Sequence, residues 1–199
     1  MFSLRSLPNL LGLLRIITTP LLAWLILLNQ PAPLIGAVVL LLLMALSDMA
    51  DGKLARKLKV VSPLGIFLDT ISDKIFVVGA LIPMIETGMI SGWIVFIIVI
   101  REFVVSGLRS FAAAEGEVIS AGQWGKQKLA ITVVALIWRL LAAAAAAAGM
   151  SEGIIVTLLN LWPISMGLAL FWTIGSGVEY LWRSRKLLMS GWTPIPNQK

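Results

Sequence analysis

Four aspartates are the residues of this chain whose type and spacing can support chemistry: Asp48, Asp51, Asp69 and Asp73. The first two are separated by about one helical turn, and so are the last two, so that each pair occupies one helix face. Acidic side chains in or beside an apolar segment are costly unless they meet a cation or a basic partner. The pattern therefore predicts an oxygen-lined metal site in a membrane protein.

The composition limits which metal such a site can hold and what class of protein carries it. The 199 residues include no cysteine and no histidine, which excludes thiolate and imidazole ligands and favours magnesium, manganese or calcium. Hydrophobic residues make up 59% of the chain and charged residues only 13%, well below the charged fraction of soluble domains. The net charge of +6 is typical of the cytoplasmic loops of a membrane protein, and we expect no nucleic-acid partner.

Apolar segments separated by short polar breaks predict an all-α integral membrane protein with about six transmembrane helices, each near the ~20 residues that a bilayer requires. The expected spans are Pro8–Leu28, Leu34–Arg56, Leu64–Ile85, Gly92–Ala114, Trp124–Ala148 and Ile154–Trp182. Alternate breaks are rich in lysine and arginine, which marks the cytoplasmic side and predicts two cytoplasmic termini. Met1–Leu7 is expected to lie along the membrane surface as a short interfacial segment, and residues 1–199 to form a single domain.

Counting depth along the predicted spans places the aspartates of two helices side by side. At a rise of 1.5 Å per residue from the outer breaks, Asp48 and Asp73 both lie roughly 22 Å deep on antiparallel helices. Asp51 and Asp69 are level with each other about one turn further from the outer breaks, closer to the cytoplasmic side. If the two helices are neighbours, the four carboxylates can hold two divalent ions roughly 3.5–4 Å apart.

Three residues near the aspartates are candidates for holding a ligand. Gly52 directly follows the second acid, and its missing side chain lets a ligand reach the helix backbone. Gly65 can serve the same purpose, or it is a packing or turn glycine. Arg56 lies one turn beyond Gly52, where it either reaches a phosphate or base or is a cytoplasmic loop charge.

The string Asp-x2-Asp-Gly-x2-Ala-Arg-x8-Gly-x3-Asp-x3-Asp resembles the complete signature of the CDP-alcohol phosphotransferases. Its fixed positions are Asp48, Asp51, Gly52, Ala55, Arg56, Gly65, Asp69 and Asp73. The resemblance implies an enzyme that transfers a phosphatidyl-type group from a CDP-linked lipid to an alcohol and releases CMP. It also implies a homodimer. Within each chain, the four aspartates would ligate two Mg²⁺ or Mn²⁺ ions and Asp73 would act as the general base. The CDP moiety would be held by Asp48, Gly52, Arg56 and Gly65.

A second set of residues resembles the bacterial phosphatidylglycerophosphate synthases within that family. It comprises Arg101 to Arg109, Trp124 to Lys128, and Pro8 to Leu11 together with Arg15. This resemblance implies CDP-diacylglycerol and glycerol 3-phosphate as substrates, membrane lipid as surroundings, and a multi-pass enzyme of the bacterial inner membrane whose active site faces the cytoplasm. The acceptor phosphate requires nearby cations, for which the candidates are Arg15, Arg101, Arg109, Lys126 and Lys128.

Some of these charged residues have a second interpretation. Arg15 is level with Asp48 and Asp73, so it can balance the acids instead of binding a phosphate. Glu102, Arg101 and Arg139 lie near the predicted membrane midplane, where an unpaired charge is costly. We expect Glu102 to pair with Arg101, with Arg139, or with both.

Other functions remain to be distinguished from the one that the resemblance implies. Phosphatidylinositol-phosphate, phosphatidylserine and cardiolipin synthases belong to the same family and differ in the acceptor. Membrane prenyltransferases also use paired aspartates, but their Asn-Asp-x2-Asp pattern is absent from this sequence. A cation or proton transporter is disfavoured because the acids lie at one membrane edge and no inverted repeat is visible.

Overall fold

The computed structural model describes residues 7–58, 63–117 and 123–191. This part of the chain is entirely helical apart from short connections. The helices are α1 (Leu7–Leu27), α2 (Pro31–Leu58), α3 (Pro63–Glu86), α4 (Gly92–Ala114), α5 (Gln123–Ala147) and α6 (Glu152–Gly191). The predicted all-α fold is confirmed over these ranges, with one helix for each expected span. The expected interfacial segment Met1–Leu7 lies outside the described residues except for Leu7.

Four helices in the described part of the chain are long and apolar enough to cross a membrane, namely α1, α2, α5 and α6. Helices α3 and α4 have a similar length but carry charged side chains along their middle turns. Those side chains line a cavity between the helices, which explains the low hydropathy of α3 and α4. That all six helices span the bilayer stays a prediction.

Helix α6 is longer than expected and corrects one predicted boundary. It continues past Trp182 to Gly191 and contains 40 residues, which at 1.5 Å per residue is roughly 60 Å, about twice the thickness of a bilayer core. Its final turns remain packed, because Ser184 and Leu187 are buried. Arg183, Arg185 and Lys186 therefore belong to the helix and do not form a loop.

Helix α1 packs against both α2 and α3, and two glycines bring it especially close to α3. A Cβ atom at Gly12 would lie 3.4 Å from the Cβ of Leu68, and a Cβ at Gly79 would overlap the methyl group of Thr19. Gly12 and Thr19 lie about one turn before and one turn after Arg15. Close packing on both sides therefore fixes Arg15 between the two helices.

We expect Gly79→Ala to destabilise the protein by about 1–3 kcal/mol, because the added methyl group cannot fit beside the Thr19 methyl without a backbone shift. Thr19→Ser removes that methyl and should restore most of the loss in the double variant. The free energy of unfolding in detergent measures both effects. Gly107→Ala is the matched control, because its Cβ meets open space and alanine favours a helix. A loss at Gly79 no larger than at Gly107 would contradict the close packing.

The alanine-rich end of α5 is a packing surface. Ala142 to Ala145 are at most 9% exposed, and α5 and α6 pack along much of their length. The indole N–H of Trp138 donates to the carbonyl of Leu158 at 3.0 Å, which ties the two helices together in the same region. Small side chains permit this close approach between helices.

Candidate active site

Three aspartates from two helices form an acid cluster. Asp48 of α2 and Asp69 and Asp73 of α3 each offer a carboxylate oxygen within 4.8 Å of the other two. Depth counting predicts this meeting of Asp48 with Asp73. Helix α1 packs against both α2 and α3, so the two helices are held together partly through a third.

Several predicted site residues have a known position in the helices without a described side chain. Asp51, Gly52 and Arg56 lie in the C-terminal half of α2, and Lys126 lies in the first turn of α5. The surroundings of these four residues are outside the described part of the chain. Gly65 is described, in the first turn of α3, one turn before Asp69. Their predicted roles therefore stay predictions.

Arg15 lies directly on the acid cluster. Its Nη1 atom forms ion pairs with Asp48 and, at 3.0 Å, with Asp73, and the residue is only 2% exposed. An arginine offers five N–H donors, so one guanidinium can serve two carboxylates. The structure favours the second of its two expected roles, which is to balance the acids.

A cavity of about 610 Å³ is lined by Asp48, Asp69 and Asp73 of the acid cluster. It is also lined by three of the predicted acceptor-binding residues, Arg101, Arg109 and Lys128, which together form a basic wall. The cavity is thus bounded by helices α2, α3, α4 and α5. It can accommodate a substrate with several negative charges, one part of which meets the acids through a cation while another part meets the basic side chains directly.

Ion pairs and hydrogen bonds hold the basic wall in place. Glu102 pairs with Lys128 and, at 3.1 Å, with Arg101, which confirms the expected pair of Glu102 and Arg101. Arg101 Nη2 also donates to the Ser176 hydroxyl at 2.9 Å, and Arg109 Nε donates to the Tyr180 hydroxyl at 2.8 Å. Helix α6 therefore supports both cavity-lining arginines of α4.

Of the two partners expected for Glu102, Arg101 pairs with it and Arg139 does not. Arg139 Nε donates to the Met89 carbonyl at 2.7 Å, and its guanidinium lies 5.5 Å from the ring centre of Trp162. Depth counting assumes that the outer ends of the helices are level. Helix α5 continues eight residues past Arg139 to Ala147, roughly 12 Å beyond the connection between α3 and α4. Glu102 is consequently level with Lys128, three turns earlier in α5.

The cavity also contains polar residues that sequence reasoning missed: Thr70, Lys74, Ser106, Ser110 and Thr132. Lys74 directly follows Asp73 and donates to the Thr70 carbonyl at 2.7 Å. Ser106 and Ser110 follow Glu102 at intervals of four residues, a helical spacing that could have placed them on the same face. Among the described side chains, the buried Arg101 Nε and Thr132 Oγ1 have no hydrogen-bond partner within the protein.

The acid cluster has the chemistry that a divalent cation requires. All its donors are carboxylate oxygens, which suit magnesium, manganese or calcium. Asp73 is one-third exposed and Asp69 is exposed, so the cluster is open towards the cavity. An ion held by these side chains would be accessible to a substrate, whereas a purely structural metal is usually enclosed by its ligands.

A sequence profile of the CDP-alcohol phosphatidyltransferases matches residues 5–174, which include the acid cluster and all of the cavity-lining residues. The chain belongs to the CDP-alcohol phosphatidyltransferase family. Membership confirms the resemblance found in the sequence and places this CDP-alcohol phosphatidyltransferase among the membrane transferases, a family that is generally dependent on divalent metals. It also removes the prenyltransferase and transporter alternatives.

Individual relatives of this CDP-alcohol phosphatidyltransferase have one name in common, CDP-diacylglycerol–glycerol-3-phosphate 3-phosphatidyltransferase. The Bacillus subtilis protein is 37% identical over 53% of this chain and 55% of its own length. The Cereibacter sphaeroides protein is 35% identical over 66% of this chain and 61% of its own length. The Rickettsia bellii protein is 31% identical over 91% of this chain and 96% of its own length. The chain thus matches little more than half of the first two relatives but nearly all of the third.

Proposed function

We propose that this protein transfers the phosphatidyl group of CDP-diacylglycerol to sn-glycerol 3-phosphate, giving phosphatidylglycerophosphate and CMP. The 1-hydroxyl oxygen of the acceptor attacks the lipid-side phosphorus, the bond from that phosphorus to the bridging oxygen of the pyrophosphate breaks, and CMP leaves with the electron pair. The named relatives support this choice of donor and acceptor.

The observation that carries the proposal is the shared cavity of the acid cluster and the basic wall. A pyrophosphate-linked donor needs cations at the acids, whereas glycerol 3-phosphate carries a second phosphate that must be bound elsewhere. Arg101, Arg109 and Lys128 supply that second site, since arginine gives a bidentate fork and lysine a point charge. An acceptor without a phosphate would offer no anion to these three cations.

The aspartates have two roles in the proposed reaction. Asp48, Asp51, Asp69 and Asp73 would hold two Mg²⁺ or Mn²⁺ ions, and these ions would supply positive charge to offset the charge that develops in phosphoryl transfer. Asp73 also accepts the proton of the attacking hydroxyl. The CDP moiety lies along Asp48, Gly52, Arg56 and Gly65.

We further propose that residues 1–199 form one domain with six membrane spans, and that both termini and the cavity opening face the cytoplasm of a bacterium. Exposed tryptophans support two membrane boundaries. Trp24 and Trp93 lie near the connections at one end of the bundle, and Trp124 and Trp182 lie towards the other end. The protein would function as a homodimer in the inner membrane, as its family resemblance implies.

Turnover in detergent with CDP-diacylglycerol, Mg²⁺ and one acceptor at a time tests the proposed function. We expect CMP release with glycerol 3-phosphate to exceed that with serine by at least about a hundredfold, because a site built to bind a phosphate rejects an acceptor that lacks one. It should also exceed release with inositol phosphate and with phosphatidylglycerol, whose larger groups must fit the same cavity. Inositol phosphate retains the phosphate and tests the shape of the site alone. Faster turnover with any other acceptor would overturn the proposal.

Arg109→Met separates acceptor binding from donor binding in the same assay. The loss of a charged hydrogen bond should raise KM for glycerol 3-phosphate by at least about tenfold and leave KM for CDP-diacylglycerol nearly unchanged. Arg183→Met is the matched control. Arg183 lies in α6 close in sequence to Tyr180, the partner of Arg109, and pairs with Glu179, but it does not line the cavity. Equal effects on both KM values would argue against the assigned acceptor site.

A further inference from the structure

Arg15 is held against the acid cluster by the packing of its own helix. Gly12 on one side and Thr19 on the other side contact α3 at Leu68 and Gly79, so α1 cannot slide or rotate freely on α3. The Thr19 hydroxyl donates to the Arg15 carbonyl at 2.7 Å, which adds a local contact within the same helix. The backbone of Arg15 is therefore held close to α3 by packing, within reach of the acid cluster.

The contacts of Arg15 join the two helices that supply the acids. Asp48 comes from α2 and Asp73 from α3, and the same Nη1 atom contacts both carboxylates. Carboxylates this close repel one another in an environment shielded from water. A fixed positive charge between them offsets that repulsion before any metal ion arrives.

We propose that Arg15 is a positioning residue, a resident counter-ion that holds Asp48 and Asp73 together in the metal-free protein and competes with the divalent cation for them. The inference rests on the metal-binding role of the aspartates proposed above, and it concerns stability and metal affinity, not the transferred group. The charge of Arg15 has two opposite effects. It stabilises the cluster without metal, and it weakens metal binding because a second positive charge enters the same site.

Arg15→Met tests both effects with readouts that do not require turnover. In EDTA the variant should unfold at a temperature at least about 6 °C lower than the wild type, because removing one partner leaves buried charges uncompensated. Saturating Mg²⁺ should remove at least half of that deficit. Mn²⁺ titrated into the metal-free protein and followed by electron paramagnetic resonance should bind at least about tenfold more tightly to the variant.

Two matched variants separate a counter-ion from a merely structural arginine. Arg139→Met removes a guanidinium that contacts a carbonyl and an indole ring, so its loss of stability should be the same with and without Mg²⁺. Arg15→Lys keeps the positive charge and should retain Mn²⁺ affinity within about threefold of the wild type. Recovery of Arg15→Met only when Mg²⁺ is present throughout purification would also support the proposal.

Three results would overturn the inference. One is an Arg15→Met deficit that Mg²⁺ leaves unchanged, as expected for Arg139→Met. Another is Mn²⁺ binding to Arg15→Met that is no tighter than to the wild type. The third is failure to recover Arg15→Met with or without Mg²⁺ while Arg139→Met is recovered. If the wild type itself binds no Mn²⁺, the proposed metal site fails as well, whereas normal wild-type binding with any of the three results leaves the proposed function intact.

Discussion

Asp73→Asn should lower the rate of CMP release by at least about a hundredfold, because the amide cannot accept the proton of the attacking hydroxyl and is a poorer metal ligand. The change keeps the size of the side chain, and Asp48 retains its ion pair with Arg15. Because proton acceptance belongs to the chemical step, the loss should appear mainly in kcat. Initial rates at saturating CDP-diacylglycerol and glycerol 3-phosphate measure it.

Glu86→Gln provides the control for Asp73→Asn. It makes the same chemical change in the same helix, but Glu86 is exposed at the last residue of α3, roughly 20 Å from Asp73 along the helix axis. Its activity should remain within about twofold of the wild type, since exposed substitutions away from a site have small effects. Both variants should show wild-type helix content. An Asp73→Asn variant with near-normal kcat would mean that another group accepts the proton.

Glu102→Gln should destabilise the protein by about 3 kcal/mol, because it leaves Lys128 and Arg101 without their shared carboxylate. The Glu102 side chain is only 16% exposed, so solvent compensates little of the lost charge. Unfolding in denaturing detergent, followed by circular dichroism, measures the change in free energy. KM for glycerol 3-phosphate should change as well, since both cations line the cavity.

Glu179→Gln is the matched control for Glu102→Gln. Glu179 pairs with Arg183 at 2.6 Å, but the two side chains are 23% and 43% exposed, so the pair contributes at most about 1 kcal/mol. If the two glutamine variants were equally stable, the ion pairs of Glu102 would contribute no more than a surface pair. The basic wall would then have to be held in place mainly by α6.

Helix boundaries with local signals were the most predictable part of the fold. Helix α4 begins and ends where the sequence predicts, because Ser91 caps its first turn by accepting a hydrogen bond from the Trp93 amide and Gly116 follows its end with a positive φ. The end of α6 was not predictable in this way. Basic residues after Trp182 mark a membrane boundary, but they do not stop a helix.

The acid cluster was as predictable as the local helix boundaries. The contacts of the basic wall were predictable only in part. Residues one turn apart must share a helix face, so Asp69 and Asp73 could be placed together without a structure. The partner of Glu102 depends on the height of α5 relative to α4 along the bundle axis, which no local sequence pattern predicts. That relative height brings Lys128 to Glu102 and moves Arg139 to the Met89 carbonyl.

The buried ion pairs form separately in the two halves of the chain. Arg15, Asp48 and Asp73 all lie in α1 to α3, whereas Arg101, Glu102 and Lys128 lie in α4 and α5. Because a chain is synthesised from its N-terminus, the first three helices can form their own ion pairs before the later ones leave the ribosome. The α1–α3 unit would therefore enter the bilayer with Asp48 and Asp73 already paired to Arg15, and the cavity between the halves would form only when α4 and α5 dock against it.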